Sequence, residues 1–412
     1  MTVEGFLGGR VTLHVGDCLD VLAEMPENSV DSVVCDPPYH LTSIVKRFGG
    51  EGAAPAKAKE SGAFQRASAG FMGKAWDGGD IAFRVETWAA VLRVLKPGGY
   101  ILAFASSRGF GRMSVAIEDA GFITHPMIGW IFGSGFPKAT RIKAEGFDGQ
   151  RYGGQALKPA LEPIYMGQKP FSEDTGTANI LRWGTGAVNI GACRIHSDDA
   201  KGRGYTVKRT APGATQNATG RTKFDDVTFT GRTQDGRWPA NLIHDGSEVV
   251  ETAFPETPGQ QAAVTGKEPG AEHTFILDRL GGDHAPRHPR GDSGTATRFF
   301  YAAKADAEDR AGSRHPTVKP LDLIQYLCRL ITPKGGTILD SFAGTGTTGE
   351  AAWREGFNAI LIEREPEYAE DIRRRMKLVL AGADERRRVL ASVDAGRSEA
   401  APDHGPLFGG GA

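Results

Sequence analysis

The chain has 412 residues and a formal net charge of −1, so any nucleic-acid partner must be held by local basic segments rather than by global charge. Cys18, Cys35, Cys193 and Cys328 form no CxxC pair and fit a reducing cytosol better than a disulfide framework or a zinc site. No run approaches the ~20 apolar residues of a membrane span and no leader pattern opens the chain, so a soluble cytoplasmic protein of roughly two or three domains is expected.

Residues 10–39 read strand, helix, strand. Val11 to Val15 is short and apolar, Gly16-Asp17 turns, and Leu19, Leu22 and Ala23 recur at helical spacing until Pro26. Ser32-Val33-Val34-Cys35 then reads as a buried strand cut off by Asp36-Pro37-Pro38-Tyr39. The prolines have fixed φ and no N–H, so the backbone after Asp36 is stiff and its carbonyls are free to accept. A carboxylate, free carbonyls and an aromatic ring at a strand end suit a planar group carrying an NH2. An Asp-Pro-Pro turn that merely closes the strand is the plain alternative. Asp17 ends the earlier strand in the same way, and by itself reads as a helix N-cap.

Residues 40–80 have little periodicity, and Lys46, Arg47, Lys57, Lys59, Arg66 and Lys74 outnumber the acids Glu51 and Glu60. A loop this long is either functional, closing over a substrate strand, or simply disordered. Regular structure resumes with a helix on Val85, Trp88, Val91, Leu92 and Leu95, stopped by Pro97-Gly98-Gly99, and a buried strand from Tyr100 to Ala105. A helix on Met113, Ile117 and Ala120, a strand over Ile128–Phe132 and a further strand over Glu162–Met166 follow. Alternating helices and buried strands predict an α/β fold, a doubly wound, mostly parallel sheet covered on both faces.

From 171 to 297 that pattern gives way to Gly, Thr, Arg, Asp and Pro. Arg203, Lys208, Arg209, Arg221 and Lys223 lie in its most basic stretch, which suits contacts to phosphates and base edges; a mobile insertion without a partner is the alternative. His284 and His288 have a metal-like spacing but no neighbouring ligand, and no metal is expected. The α/β pattern returns with a strand at Arg298–Ala303 and a helix carrying Leu321, Ile324, Leu327, Cys328 and Ile331. A strand over Thr337–Phe342, a helix from Thr348 to Glu355, a strand over Ala359–Ile362 and an Arg-rich amphipathic helix from Tyr368 to Leu380 complete it. Beyond 384 the composition predicts disorder.

Gly344-Thr345-Gly346-Thr347-Thr348-Gly349 matches GxGxxG between a strand and a helix, and Glu363 closes the next strand. Glycines there let a ligand approach the backbone, and a strand-end carboxylate can hold ribose hydroxyls, so an adenosine-bearing cofactor is expected. Only one further strand and helix follow, too little for the second half of a dinucleotide fold.

Asp36-Pro37-Pro38-Tyr39 resembles the catalytic motif of the amino-group DNA methyltransferases, in the form common among adenine enzymes. Asp340-Ser341-Phe342-Ala343-Gly344-Thr345-Gly346 resembles their cofactor motif. Catalytic motif first and cofactor motif last is the order of the β group, a permuted version of this fold, and the likeness is closest to phage and prophage adenine methyltransferases. The resemblance covers roughly 10–170 and 298–380. It implies S-adenosyl-L-methionine as cofactor, with Asp17 on its adenine, Thr317 and Lys319 at its methionine end, and Asp340, Phe342, Gly344, Gly346 and Glu363 around the rest. It also implies a DNA substrate whose target base is flipped onto Asp36, Pro37, Pro38 and Tyr39. A second copy of the chain is a partner the sequence allows.

The domain organisation that follows is a catalytic half at 1–170, a target-recognition insertion at 171–297, a cofactor half at 298–383 and a disordered tail at 384–412. Methylation of adenine N6 in DNA is the expected activity. Cytosine-N4 methylation by the same mechanism is the nearest alternative, and a catalytically dead DNA-binding protein a remoter one. None of the four cysteines follows a proline, which argues against a carbon-5 cytosine enzyme of the Pro-Cys type.

Overall fold

The computed structural model describes residues 2–39, 80–197, 204–209, 227–232, 235–257, 293–304, 307–313, 318–382 and 384–391. The chain divides into two compact units, one built from 1–189, 241–247 and 302–412, the other from 190–240 and 248–301.

In the first unit, β1 (Thr2–Phe6) and β2 (Val11–Val15) form an antiparallel hairpin whose turn carries Leu7, Gly8 and Gly9 at positive φ. Helix Cys18–Glu24 leads into β3 (Val30–Cys35), which is buried at every position. Helix Val85–Val94 precedes β4 (Leu95–Phe104), and helix Phe110–Asp119 precedes β5 (Ile123–Ile131). A hairpin of β6 (Lys138–Arg141) and β7 (Arg151–Gln155) separates β5 from β8 (Leu161–Gln168). The second unit contains the antiparallel pair β9 (Gly204–Arg209) and β10 (Val227–Arg232). The sheet resumes with β11 (Leu242–His244) and β12 (Tyr301–Ala302). Helix Leu321–Ile331, β13 (Thr337–Asp340), helix Thr347–Arg354, β14 (Asn358–Glu363) and helix Pro366–Leu380 follow.

The strands order β1-β2-β14-β13-β3-β4-β8-β5-β11-β12 in one sheet. β2, β14, β13, β3 and β4 run parallel, while β1 and β8 run against their neighbours. This is the doubly wound α/β sheet the sequence predicts. Its centre is dry: Val33, Val34, Ile101, Leu102, Leu339 and Leu361 have no exposure. From β13 the chain moves outward to β14, and from β3 it moves the other way to β4. The C-terminal ends of β13 and β3 therefore part at a topological switch point, where open α/β sheets bind ligands.

Four expectations need correction. Helix Val85–Val94 runs straight into β4, so Pro97-Gly98-Gly99 lies inside a strand instead of before it. A register shift opposite Val30 and Ser32 absorbs Gly98 at φ +81°, and the Pro97 carbonyl accepts from Asn179 Nδ2 and Thr185 Oγ1. The strand expected at Arg298–Ala303 is a 3-10 turn, Ala296–Phe299, followed by the two residues of β12. There the Arg298 guanidinium curls back onto the carbonyls of Gly294, Thr295 and Thr257. β13 stops at Asp340 rather than Phe342, because the Asp340 carboxylate accepts from Phe342 N and bends the chain out of the ladder. Finally, of the 384–412 tail expected to be disordered, residues 384–391 are largely helical and the remainder lies outside the described residues.

Among the described residues no helix is long and apolar enough to cross a membrane, and no group of three His, Cys, Asp or Glu could hold a metal.

Candidate active site

The first half of the site hangs from the end of β3. Lys319, almost fully buried at 6 % exposure, directs its ammonium to Asp36 Oδ2 at 2.7 Å, to Tyr39 OH at 3.1 Å and to Glu162 Oε2 at 3.2 Å. Tyr39 OH also donates to Glu162 Oε2 at 3.3 Å. The same ammonium sits over the Tyr39 ring, 5.3 Å from its centroid, and over the Phe104 ring at 4.9 Å. Burial pulls the Lys319 pKa down, but the Asp36 and Glu162 carboxylates overcome it and hold it above the usual lysine value. Burial, and then the same two carboxylates, push the Tyr39 phenol well up, so it stays protonated. Asp36 is left with one oxygen on the lysine and the other, Oδ1, enclosed without a hydrogen-bond partner among the described residues. A buried carboxylate oxygen with nothing to accept is costly unless a ligand fills it.

The second half lies at the ends of β13 and β14. Glu363 Oε2 accepts from Gly344 N at 2.8 Å and Oε1 from Glu365 N at 2.8 Å, which ties the glycine turn to the strand beside it. Burial raises the Asp340 and Glu363 carboxyls to about 7 each, against the hydrogen bonds of Thr348 and Phe342 N on the first and of Glu365 N and Gly344 N on the second. Gly344 and Gly346 both have positive φ, +52° and +76°. A Cβ on Gly346 would lie 3.1 Å from Ile372, so this glycine admits helix Pro366–Leu380 as well as turning the chain. From behind, Arg375, 1 % exposed, donates from Nε to the Thr345 carbonyl at 2.8 Å and pairs with buried Glu350 at 2.8 Å.

One cavity of about 1420 Å³ joins the halves. Asp17, Asp36, Pro37, Pro38, Tyr39, Lys319, Asp340, Phe342, Gly344 and Glu363 all line it. Gly346 does not. Asp17 also caps its helix, accepting from Leu19 N at 2.9 Å, which is the plain role the sequence offers for it. Lys319, assigned by resemblance to the cofactor, lines the cavity with its ammonium on Asp36, Tyr39 and Glu162. Thr317, Lys46, Arg47, Arg203, Arg221 and Lys223 lie outside the described residues, as do His284 and His288. Lys208 and Arg209 are placed only as backbone positions of β9.

Glu162 and Arg375 escaped the sequence reading. Glu162 had a signal: a carboxylate between Leu161 and Pro163 at the head of an otherwise apolar strand. Arg375 had none, for it lies among Arg373, Arg374 and Lys377 on a helix whose arginines read as solvated.

A family model described as DNA methylase, of the N6/N4 type, matches residues 30–374. The type II methyltransferase M.BglI of Bacillus subtilis is 49 % identical over 59 residues, 14 % of this chain and 17 % of that protein. The type II methyltransferase M2.DpnII of Streptococcus pneumoniae is 39 % identical over 69 residues, 17 % of this chain and 26 % of that protein. The chain thus spans well under two thirds of either relative. Among solved structures, the cytosine-N4-specific PvuII DNA methyltransferase covers 96 % of this chain and 97 % of its own, at 14 % identity and a TM-score of 0.46. A DNA modification methylase of Thermus thermophilus complexed with S-adenosyl-L-methionine covers 90 % and 94 %, at 18 % identity and a TM-score of 0.40.

Proposed function

This chain belongs to the DNA methylase family, and on that premise we propose that it transfers a methyl group from S-adenosyl-L-methionine to the exocyclic amine, N6, of an adenine in DNA. The observation that carries the reading is the unpartnered Oδ1 of Asp36, held beside the Pro37-Pro38 backbone and the Tyr39 ring in a cavity that also contains Glu363.

The residues present fit the cofactor. Glu363 retains lone pairs beyond its two backbone bonds and would hold ribose hydroxyls, Asp17 would hold the adenine, and Phe342, Asp340 and the Gly344 turn line the same cavity. Thr317 is assigned to the methionine end. When bound, the cofactor supplies an activated methyl on a sulfonium, so neither a metal nor a covalent enzyme intermediate is required.

The target base is unreachable inside a duplex and must be flipped out, at a cost on the order of a few kcal/mol. Tyr39 stacks on it, and Asp36 Oδ1 and the Pro37 carbonyl accept the two amine hydrogens. That orientation turns the nitrogen lone pair toward the methyl group, and the proton that the amine gives up on gaining it would leave along its hydrogen bond to Asp36 Oδ1. Lys319 on Oδ2 fixes the carboxylate plane before the base arrives, so no reorganisation is left for the moment of reaction. The basic residues of the 171–297 insertion, with Lys46 and Arg47, are assigned to DNA.

The test is product identity. DNA incubated with methyl-labelled cofactor and hydrolysed to nucleosides should carry the label in N6-methyldeoxyadenosine. Label in N4-methyldeoxycytidine would keep the mechanism and change the base; 5-methyldeoxycytidine, or no label in DNA, would overturn the reading.

A further inference from the structure

Between β5 and β8 the chain leaves the sheet as an arm, residues 133–160, built on the β6–β7 hairpin. Its root is stiff. Phe132 N donates to the Ala160 carbonyl at 3.1 Å, and Gly133 N to Asp245 Oδ2 at 2.8 Å. The two legs pass so closely that a Cβ on Gly135 would lie 1.7 Å from the Pro159 carbonyl oxygen.

The arm's side chains face the wrong way for a structural role. Leu157 is 85 % exposed and Phe136 80 %, and Phe147 and Tyr152 are exposed as well. Exposed apolar groups gathered on one element mark an interaction surface. Arg141, Lys143, Arg151 and Lys158 are exposed on the same arm, against Glu145 and Asp148. Phe136, Leu157 and Lys158 also line the cavity that holds Asp36 and Tyr39, and the departing leg runs through Leu161 into Glu162, which pairs with Lys319.

We propose that this arm enters the DNA beside the target base, with Leu157 and Phe136 filling the space the flipped base leaves and Arg151 and Lys158 on the flanking phosphates. The proposal rests on the reading of DNA as substrate. The position selects the partner: apolar groups at the mouth of a cavity that receives a flipped base meet base faces, and cations beside them meet the backbone. Apolar wedges combined with basic residues are how proteins hold base steps apart.

The experiment uses the full chain and a duplex oligonucleotide carrying the methylation site mapped with the wild type, with a second duplex in which the target base faces an abasic site. The double variant Phe136→Ser, Leu157→Ser should lose about ten-fold or more in kcat/KM on the paired duplex, because unpairing the base is no longer supported. Most of that loss should be recovered on the abasic duplex, with cofactor affinity unchanged. Arg151→Gln with Lys158→Gln should lower the slope of log K against log salt by about 1.8. An equal loss on both duplexes, no loss on either, activity of the wild type on single strands alone, or an unchanged salt slope would overturn the arm's role. A wild type that methylates no DNA would instead fail at the proposed function, and is told apart by that assay alone.

Discussion

Lys319 holds Asp36, Tyr39 and Glu162 with a single ammonium group, and it does so from a position with almost no water around it. Removing one partner of a buried ion pair costs about 3–5 kcal/mol, because the remaining charge is stranded. Asp36 keeps a quarter of its side-chain surface exposed, which places Lys319→Met at about the lower end of that range. The variant should unfold at lower denaturant concentration than the wild type. It should also lose methyl transfer far more than cofactor affinity, since the ammonium sits on the Asp36 side of the cavity. Cofactor titration and single-turnover transfer on the same preparation separate the two. A parallel loss of affinity would return Lys319 to the methionine end, where the resemblance in its sequence places it. Residue type and local order suggested the right lysine; they could not tell which of two ligands, both within reach of a helix entry, its long stem would serve.

Asp340 and Glu363 stand at the ends of adjacent parallel strands, β13 and β14. Burial raises Asp340 from 3.8 and Glu363 from 4.5 to about 7. A carboxyl whose folded pKa lies above its unfolded one binds its proton more tightly in the folded state, so stability falls as pH rises between the two values. The cost is absent below about pH 4, develops toward pH 7 and is fully present above it, on the order of 3–4 kcal/mol for each group. Asp340→Asn with Glu363→Gln should therefore flatten the stability profile across that window in the cofactor-free protein, measured by urea unfolding. An unchanged slope would show that these carboxyls are better solvated than the strand ends make them. The strands themselves were legible because β-branched runs bounded by glycine and proline announce them. What the period could not show was Pro97-Gly98-Gly99 inside β4, where Asn179 of helix Gly176–Trp183 donates from Nδ2 to the Pro97 carbonyl beside the register shift. Nor could it show Arg375 turned inward, since its place in the helix is decided by Glu350 and the Thr345 carbonyl, which come from another helix and the glycine turn.

For the whole molecule, the doubly wound sheet brings opposite ends of the chain to one crevice. β3 follows 29 residues into the sequence and β13 begins at residue 337, yet they are hydrogen-bonded neighbours, Leu339 beside Val33. The order of motifs in the sequence foretold that meeting. It did not foretell Glu162, which reaches the site only because β8 runs antiparallel against β4. On the proposed function the work divides across this crevice, with Asp36 serving the base and Glu363 with its glycine turn serving the cofactor. Asp36→Ala and Glu363→Ala, compared by cofactor titration and by methyl transfer to DNA, test that division. Asp36→Ala should abolish transfer with cofactor affinity within about three-fold of wild type, while Glu363→Ala should weaken cofactor binding by roughly 1.5–3 kcal/mol, the worth of a charged hydrogen bond. Loss of cofactor binding by Asp36→Ala in step with its loss of transfer would contradict that division.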